Sequence, residues 1–167
     1  VIEILVDLPI VLPPVVAGVA MLMAFGRNGL LSEIFGNTDY SVSFTTFAVI
    51  LAQIFVAAPF YTKSASAGFA QVPKELEDIS ETLGVTPIKT FFKITLPIAS
   101  PTILGGLALS WARALSEFGA TLMFAGNFIG KTQTMPLAIL SAMESDFDAA
   151  IALSIVLLIA STMILVI

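Results

Sequence analysis

The chain contains no cysteine and no histidine. A disulfide framework, a thiol nucleophile, a Cys/His zinc site and an imidazole base are therefore excluded. Charge is scarce as well: 11% of the 167 residues are Asp, Glu, Lys or Arg, with a net formal charge of −5. The slight acidity is spread over loops, which argues against a nucleic-acid partner. No repeat of solenoid period occurs, and no segment is of low complexity. The chain opens on Val1 without a charged, signal-like start, so it reads as a fragment or as a chain trimmed at both ends.

What the chain has in excess is apolar surface. Hydrophobic residues make up 57% of it, and the mean hydropathy is +1.01. A soluble domain of this size buries only part of its surface and has no room for so much, so the solvent must be partly lipid. Four apolar runs stand out: Ile4 to Phe25, Phe44 to Tyr61, Ser100 to about Phe124, and Ala149 to Ile167. Pro9, Pro13 and Pro14 interrupt the first, which must bend or break early. Pro59 falls near the end of the second, and Ser100-Pro101 reads as the cap and first turn of the third. Gly26 to Ser43 reads as a loop, with turn signals at Arg27-Asn28-Gly29 and Gly36-Asn37-Thr38-Asp39. Gly126 to Asp148 reads as a second loop. The fold class is thus all-α: a polytopic transmembrane bundle of about four spans.

A polar island, residues 63–97, separates the second and third runs. Within it Pro73 suits a first helical position, and Glu75, Glu77 and Asp78 load the first turn with acids, as the helix dipole favours. Leu76, Ile79 and Leu83 form a narrow apolar stripe at helical spacing, and Gly84 follows it as a left-handed C-terminal residue. Thr86-Pro87 opens a second short helix whose apolar face is Ile88, Phe91 and Phe92. Two short helices bent at a glycine, greasy on one side and too short for a membrane, need a partner to cover them. The island holds Lys63, Lys74, Lys89 and Lys93, whereas the flanking loops hold only Arg27 and Lys131. The excess of basic residues puts the island in the cytoplasm and the flanking loops outside. The acids Glu144, Asp146 and Asp148 then form a solvated external loop.

In the third run Ala108, Ala112, Ser116 and Ala120 lie four apart, a small-residue stripe for close helix packing. Arg113 and Glu117 sit one position further on, also four apart. Charges inside a membrane face protein or water, so the pair is either part of a translocation path that meets an oxyanion or a structural ion pair. Gly126 to Thr132 imitates a phosphate-binding loop, but the first glycine of that motif would fall on Ala125 and no strand precedes it. No catalytic residue and no metal site is expected. An enzyme embedded in the membrane would need Glu117 or Asp7 as its acid, and neither has a second carboxylate or nucleophile converging on it.

The polar island resembles the cytoplasmic loop of the membrane subunits of ATP-binding-cassette importers. Asp78-Ile79-Ser80 stands where that family has Glu-Ala-Ala, Gly84 is its glycine, and Ile94, Leu96 and Pro97 close the pattern at the expected distance. Asp for Glu is a mild departure; Ile79 and Ser80 are bulkier or more polar than alanine. Further on, Ser110 to Met123, Ala125-Gly126-Asn127 and Lys131 to Ile139 closely resemble molybdate importer permeases, as do Asp7-Leu8-Pro9, Pro13-Pro14 and Ala17 to Ala20. The Arg-Ala-Leu-Ser-Glu-Phe-Gly core, Arg113 to Gly119, is shared with sulfate and tungstate permeases.

The resemblance, which covers nearly the whole chain, implies one type-1 transmembrane domain over residues 1–167, with further spans before the point corresponding to Val1. It implies a permease subunit rather than an enzyme, in the plasma (inner) membrane, with no cofactor of its own. Two ATP-binding subunits would carry ATP and magnesium below, a second permease copy would complete a homodimer, and an external oxyanion-binding protein would dock above. A sulfate/thiosulfate or tungstate permease is the alternative within transport. A non-transporting membrane scaffold is the alternative outside it.

Overall fold

A computed structural model describes residues 2–27, 29–30 and 41–166, with side chains from Val6 onward. Asn28 and the turn signals at Gly36 to Asp39 lie outside the described residues, as does Ile167 at the end of the last run. The described residues are helical and contain no strand.

The first apolar run is two helices, α1 (Ile2–Val11) and α2 (Pro14–Phe25), parted at Leu12 and Pro13. Pro13 has extended backbone, φ −56 and ψ 134, and Pro14 sits at the start of α2, where a missing amide costs nothing. The break expected from the prolines is therefore where they put it. Neither piece spans ~30 Å of hydrocarbon by itself, since 12 residues rise only about 18 Å. α2 is a short apolar helix, and among the described residues three other helices are long and apolar enough to cross a membrane.

The first of these is α3 (Thr46–Ala70), capped by the Thr45 hydroxyl, which accepts the Ala48 amide at 3.2 Å. It does not stop near Tyr61 but runs nine residues further, so the polar island begins as helix. The second is one continuous helix from Pro87 to Leu115. It comprises α5 (Pro87–Thr90), a π-helical turn (Phe91–Thr95) and α6 (Leu96–Leu115). Ser100-Pro101 is therefore not its beginning. Pro101 has no amide to give the Pro97 carbonyl, and the Ser100 hydroxyl takes that place at 2.9 Å. Between α3 and α5 lies α4 (Lys74–Thr82).

The third apolar run also departs from expectation. α6 ends at Leu115, Ser116 to Phe118 break the helix, and a separate α7 (Gly119–Ala125) follows. Residues 126–148 are not all loop: they hold α8 (Met135–Ser145) and the first turn of α9 (Phe147–Val166), the third long apolar helix.

Packing is set by small residues. α3 and α6 are the main pair, and they approach so closely that a Cβ on Gly106 would stand 2.1 Å from the Ser64 Cβ. Gly68 faces Ala99 on the same seam, where a Cβ would meet the Ala99 carbonyl at 3.1 Å. Two polar bonds cross between these helices: Ser110 Oγ donates to the Ala57 carbonyl at 2.9 Å, and Gln53 Nε2 to the Ala114 carbonyl at 3.3 Å. α7 packs against α2 and α3, and Met21, Ala48, Ala52, Val56, Ala120, Phe124 and Ala125 make the buried core. A Cβ on Gly18 would lie 2.7 Å from the Ala120 carbonyl oxygen, so α2 and α7 touch backbone to backbone. The small-residue stripe is accordingly split. Ala108 and Ala112 lie half-buried on α6, Ser116 is exposed at the break, and Ala120 is buried on α7.

Candidate functional site

The polar island folds as an elbow. α4 begins after Pro73, with Glu75 and Glu77 in its first turn, and ends in a glycine cap. Gly84 takes φ +75, its amide donates to the Glu81 carbonyl at 2.9 Å, and the Val85 amide reaches back to the Ser80 carbonyl at 3.1 Å. These two bonds are the Schellman closure that satisfies carbonyls otherwise left open at a helix end. Thr86 has the extended backbone of an N-cap before Pro87, although its hydroxyl makes no capping bond.

One side of the elbow is bare. Leu76, Ile79, Leu83, Ile88 and Phe92 are all exposed, Leu83 at 75% and Ile88 at 72%. Phe91 is exposed as well, and one face of its ring stacks on Phe69 of α3, with ring centroids 6.0 Å apart, which fixes the elbow to the end of that helix. A cleft of about 380 Å³ between α4 and the helix that follows is lined by Glu77, Asp78, Glu81, Val85, Pro87, Thr90 and Thr95.

α4 is tied down by hydroxyls. Ser80 and Thr90 are buried and lie 2.7 Å apart, oxygen to oxygen. The Thr95 hydroxyl donates to Glu77 Oε1 at 2.5 Å. Of the residues singled out by the loop pattern, Asp78, Ile79 and Pro97 are exposed, Ile94 and Leu96 half-buried, and Ser80 faces inward. Pro97 has a structural consequence of its own. It cannot donate to the Lys93 carbonyl, and just before it the Leu96 amide bonds five residues back to Phe91, which opens the helix into the π turn.

Arg113 and Glu117 do meet, Nη2 to Oε2 at 2.9 Å. Glu117 is not on the helix that carries Arg113, however; it lies in the break beyond Leu115. Its second oxygen, Oε1, accepts the Ala120 amide at 2.7 Å, in the first turn of α7. The carboxylate is 1% exposed, whereas the Arg113 side chain is 26% exposed. The buried acid thus joins α6 to α7, and the arginine keeps part of its guanidinium open. A second ion pair, absent from the sequence reading, links Asp7 of α1 to Lys63 of α3 at 3.0 Å. Asp7, a lone charge inside the first apolar run, was its only sequence signal.

The imitation phosphate loop is a different object. Gly126 and Gly130 take positive φ, and the buried Thr132 hydroxyl donates to the Gly126 carbonyl and accepts the Phe128 amide. The loop's hydrogen bonds are turned on itself. Asn127 Nδ2 donates to Ser141 Oγ of α8 at 2.9 Å, which ties the loop to that helix.

A probable transport system permease protein, NifC, from Clostridium pasteurianum is 45% identical over 165 residues, 99% of this chain and 58% of its own length. The molybdenum transport system permease protein ModB of Mycobacterium tuberculosis is 42% identical over 160 residues, 96% of this chain and 61% of its own. The sulfate transport system permease protein CysT of Escherichia coli is 37% identical over 162 residues, again 96% of this chain and 58% of its own. The chain thus spans about three fifths of the length of these relatives. Residues 1–167 match throughout a single family description, Binding-protein-dependent transport system inner membrane component. With three helices suited to crossing a membrane, the chain belongs to that family of multi-pass inner membrane proteins.

Proposed function

We propose that the chain is the core of the permease subunit of an ATP-driven molybdate importer, with residues 63–97 on the cytoplasmic side. The observation that carries this reading is the bare elbow: six exposed apolar side chains on α4 and its cap, α5 and the π turn. Such a face at the end of membrane helices calls for a protein cover, and a separate ATP-binding subunit is the cover that fits an importer. Two such subunits would serve a pair of permease chains, and an external oxyanion-binding protein would dock on the far side. Closure of the ATP-binding subunits would push the elbow, and the long helices would change between inward- and outward-open packings.

Molybdate is favoured because a molybdenum permease is 42% identical to this chain and a sulfate permease 37%. The sulfate relative matches 96% of this chain, which keeps sulfate/thiosulfate, with tungstate, as the second reading. Arg113 is available to an oxyanion through its open part, while its bond to Glu117 is structural. The test is reconstitution of the full-length protein with its ATP-binding and binding-protein partners in vesicles. ATP-dependent uptake of labelled molybdate, resisting excess sulfate, is the expected result. Uptake of sulfate in preference to molybdate would move the protein to the second reading, and no uptake in an assembled complex would end the transport reading.

A further inference from the structure

We propose that Glu77 and Ser80 are positioning residues that clamp α4 onto the membrane helix, on either side of the π turn, so that elbow and span move as one body. This rests on the importer reading above, but its structural part can be tested apart from it.

The π turn is the weak point of the lever. Phe91 to Thr95 is the only part of the Pro87–Leu115 helix where bonds run five residues back. Such a turn is rare inside an α-helix and is one of the places where helices kink. It lies between α4 and the span, so a push on α4 could be lost there by bending. Two bonds bridge the place. Ser80 on α4 meets Thr90 just before the π turn at 2.7 Å, and Glu77, one turn earlier on α4, accepts from Thr95 at its last residue at 2.5 Å. Ser80, Thr90 and Thr95 are buried and Glu77 is exposed, so the Ser80–Thr90 bond is shielded from competing water and the Glu77–Thr95 bond in part. The spacing on α4 is three residues and across the π turn five, so the two bonds span the turn from end to end. The Schellman bond from Val85 to the Ser80 carbonyl fixes the same residue from its backbone side. Ser80, which reads as a mere departure from an alanine pattern, is thus bonded through both its side chain and its carbonyl.

The experiment uses the full-length protein with spin labels at E75C on α4 and L104C on α6. Distances are measured alone and in complex with the ATP-binding subunit, with and without ATP. In the parent protein the distance distribution is narrow in every state. With Thr95→Val or Thr90→Val it broadens, and molybdate carried per ATP hydrolysed falls about threefold to tenfold, the range one buried hydrogen bond commands. Thr95→Ser and Glu77→Gln, which keep a donor and an acceptor, retain the parent behaviour. Should Thr95→Val fail to assemble, Glu77→Ala breaks the same bond from the exposed surface of α4. A narrow distribution and an unchanged transport ratio in Glu77→Ala and Thr90→Val would overturn the clamp. Failure of the parent protein to carry molybdate, with the distances behaving as stated, would count against the importer reading alone.

Discussion

Glu117 holds Arg113 at 2.9 Å across the end of α6 while its other oxygen receives the amide of Ala120. One buried carboxylate thus fixes two helices at a break in the chain. Removing the arginine leaves that acid without its cation, and breaking a buried pair costs about 3 kcal/mol or more. Arg113→Ala should therefore melt markedly earlier than the parent protein in detergent. Glu117→Gln should be milder, because the amide oxygen can still accept from Ala120 and Arg113 can rehydrate through its exposed part. If Arg113→Ala assembles and transports normally, Arg113 has no part in the translocation path.

The seam between α3 and α6 offers a reciprocal test. A Cβ on Gly106 would stand 2.1 Å from the Ser64 Cβ, which is no flexible tip that could swing away. Gly106→Ala should therefore force the helices apart and destabilise the fold by about 1–3 kcal/mol, the usual range for overpacking. Ser64→Gly, combined with it, should restore most of the loss, because the single remaining Cβ then fills the vacated place. Thermal melting of the two single variants and the double variant checks this.

At Gly84 the cost is conformational and not steric. Its φ is +75, and nothing lies within 4 Å of an added Cβ. Gly84→Asn should be nearly silent, since asparagine tolerates the left-handed region, while Gly84→Ala should cost about 1–2 kcal/mol. A β-branched residue should do worse and loosen the elbow, so Gly84→Val is expected to hydrolyse ATP with little uptake. Normal molybdate-stimulated hydrolysis and uptake in Gly84→Val would show that the elbow's angle does not matter.

The elbow was legible in sequence because local chemistry decides it. Pro73, the acids at Glu75 and Glu77, and Gly84 are start and stop signals that act within a turn of themselves. The break after Leu115 was not legible, because Arg113 and Glu117 keep the four-residue spacing of an unbroken helix. Only the Ala120 amide, a neighbour across the break, reveals what the carboxylate does. Helix α8 hid for another reason: its start at Thr134-Met135-Pro136 is signalled, but its short apolar stretch looked like loop beside the long runs. The packing glycines Gly18, Gly68 and Gly106 were passed over for an alanine stripe. A glycine's partner is set by which helices meet, and helical spacing alone does not contain that. Pro97 closes the loop pattern in sequence, and its missing amide also explains the π turn before it.

The docking face gives the sharpest separation of fold from function. Leu83 and Ile88 are among the most exposed apolar residues described, 75% and 72%, so neither supports the chain's own core. Leu83→Asp and Ile88→Asp should leave the melting temperature unchanged to within the ±0.5 kcal/mol or so typical of surface substitutions. Buried under a partner, however, each would be an anchor whose loss commonly costs about 2 kcal/mol or more, near thirtyfold in affinity. Co-purification of the full-length protein with its ATP-binding subunit should therefore fail for the double variant while the membrane part stays folded. If the subunit still binds with parent affinity, the partner does not sit on this face, and transmission through α4 would have to be abandoned.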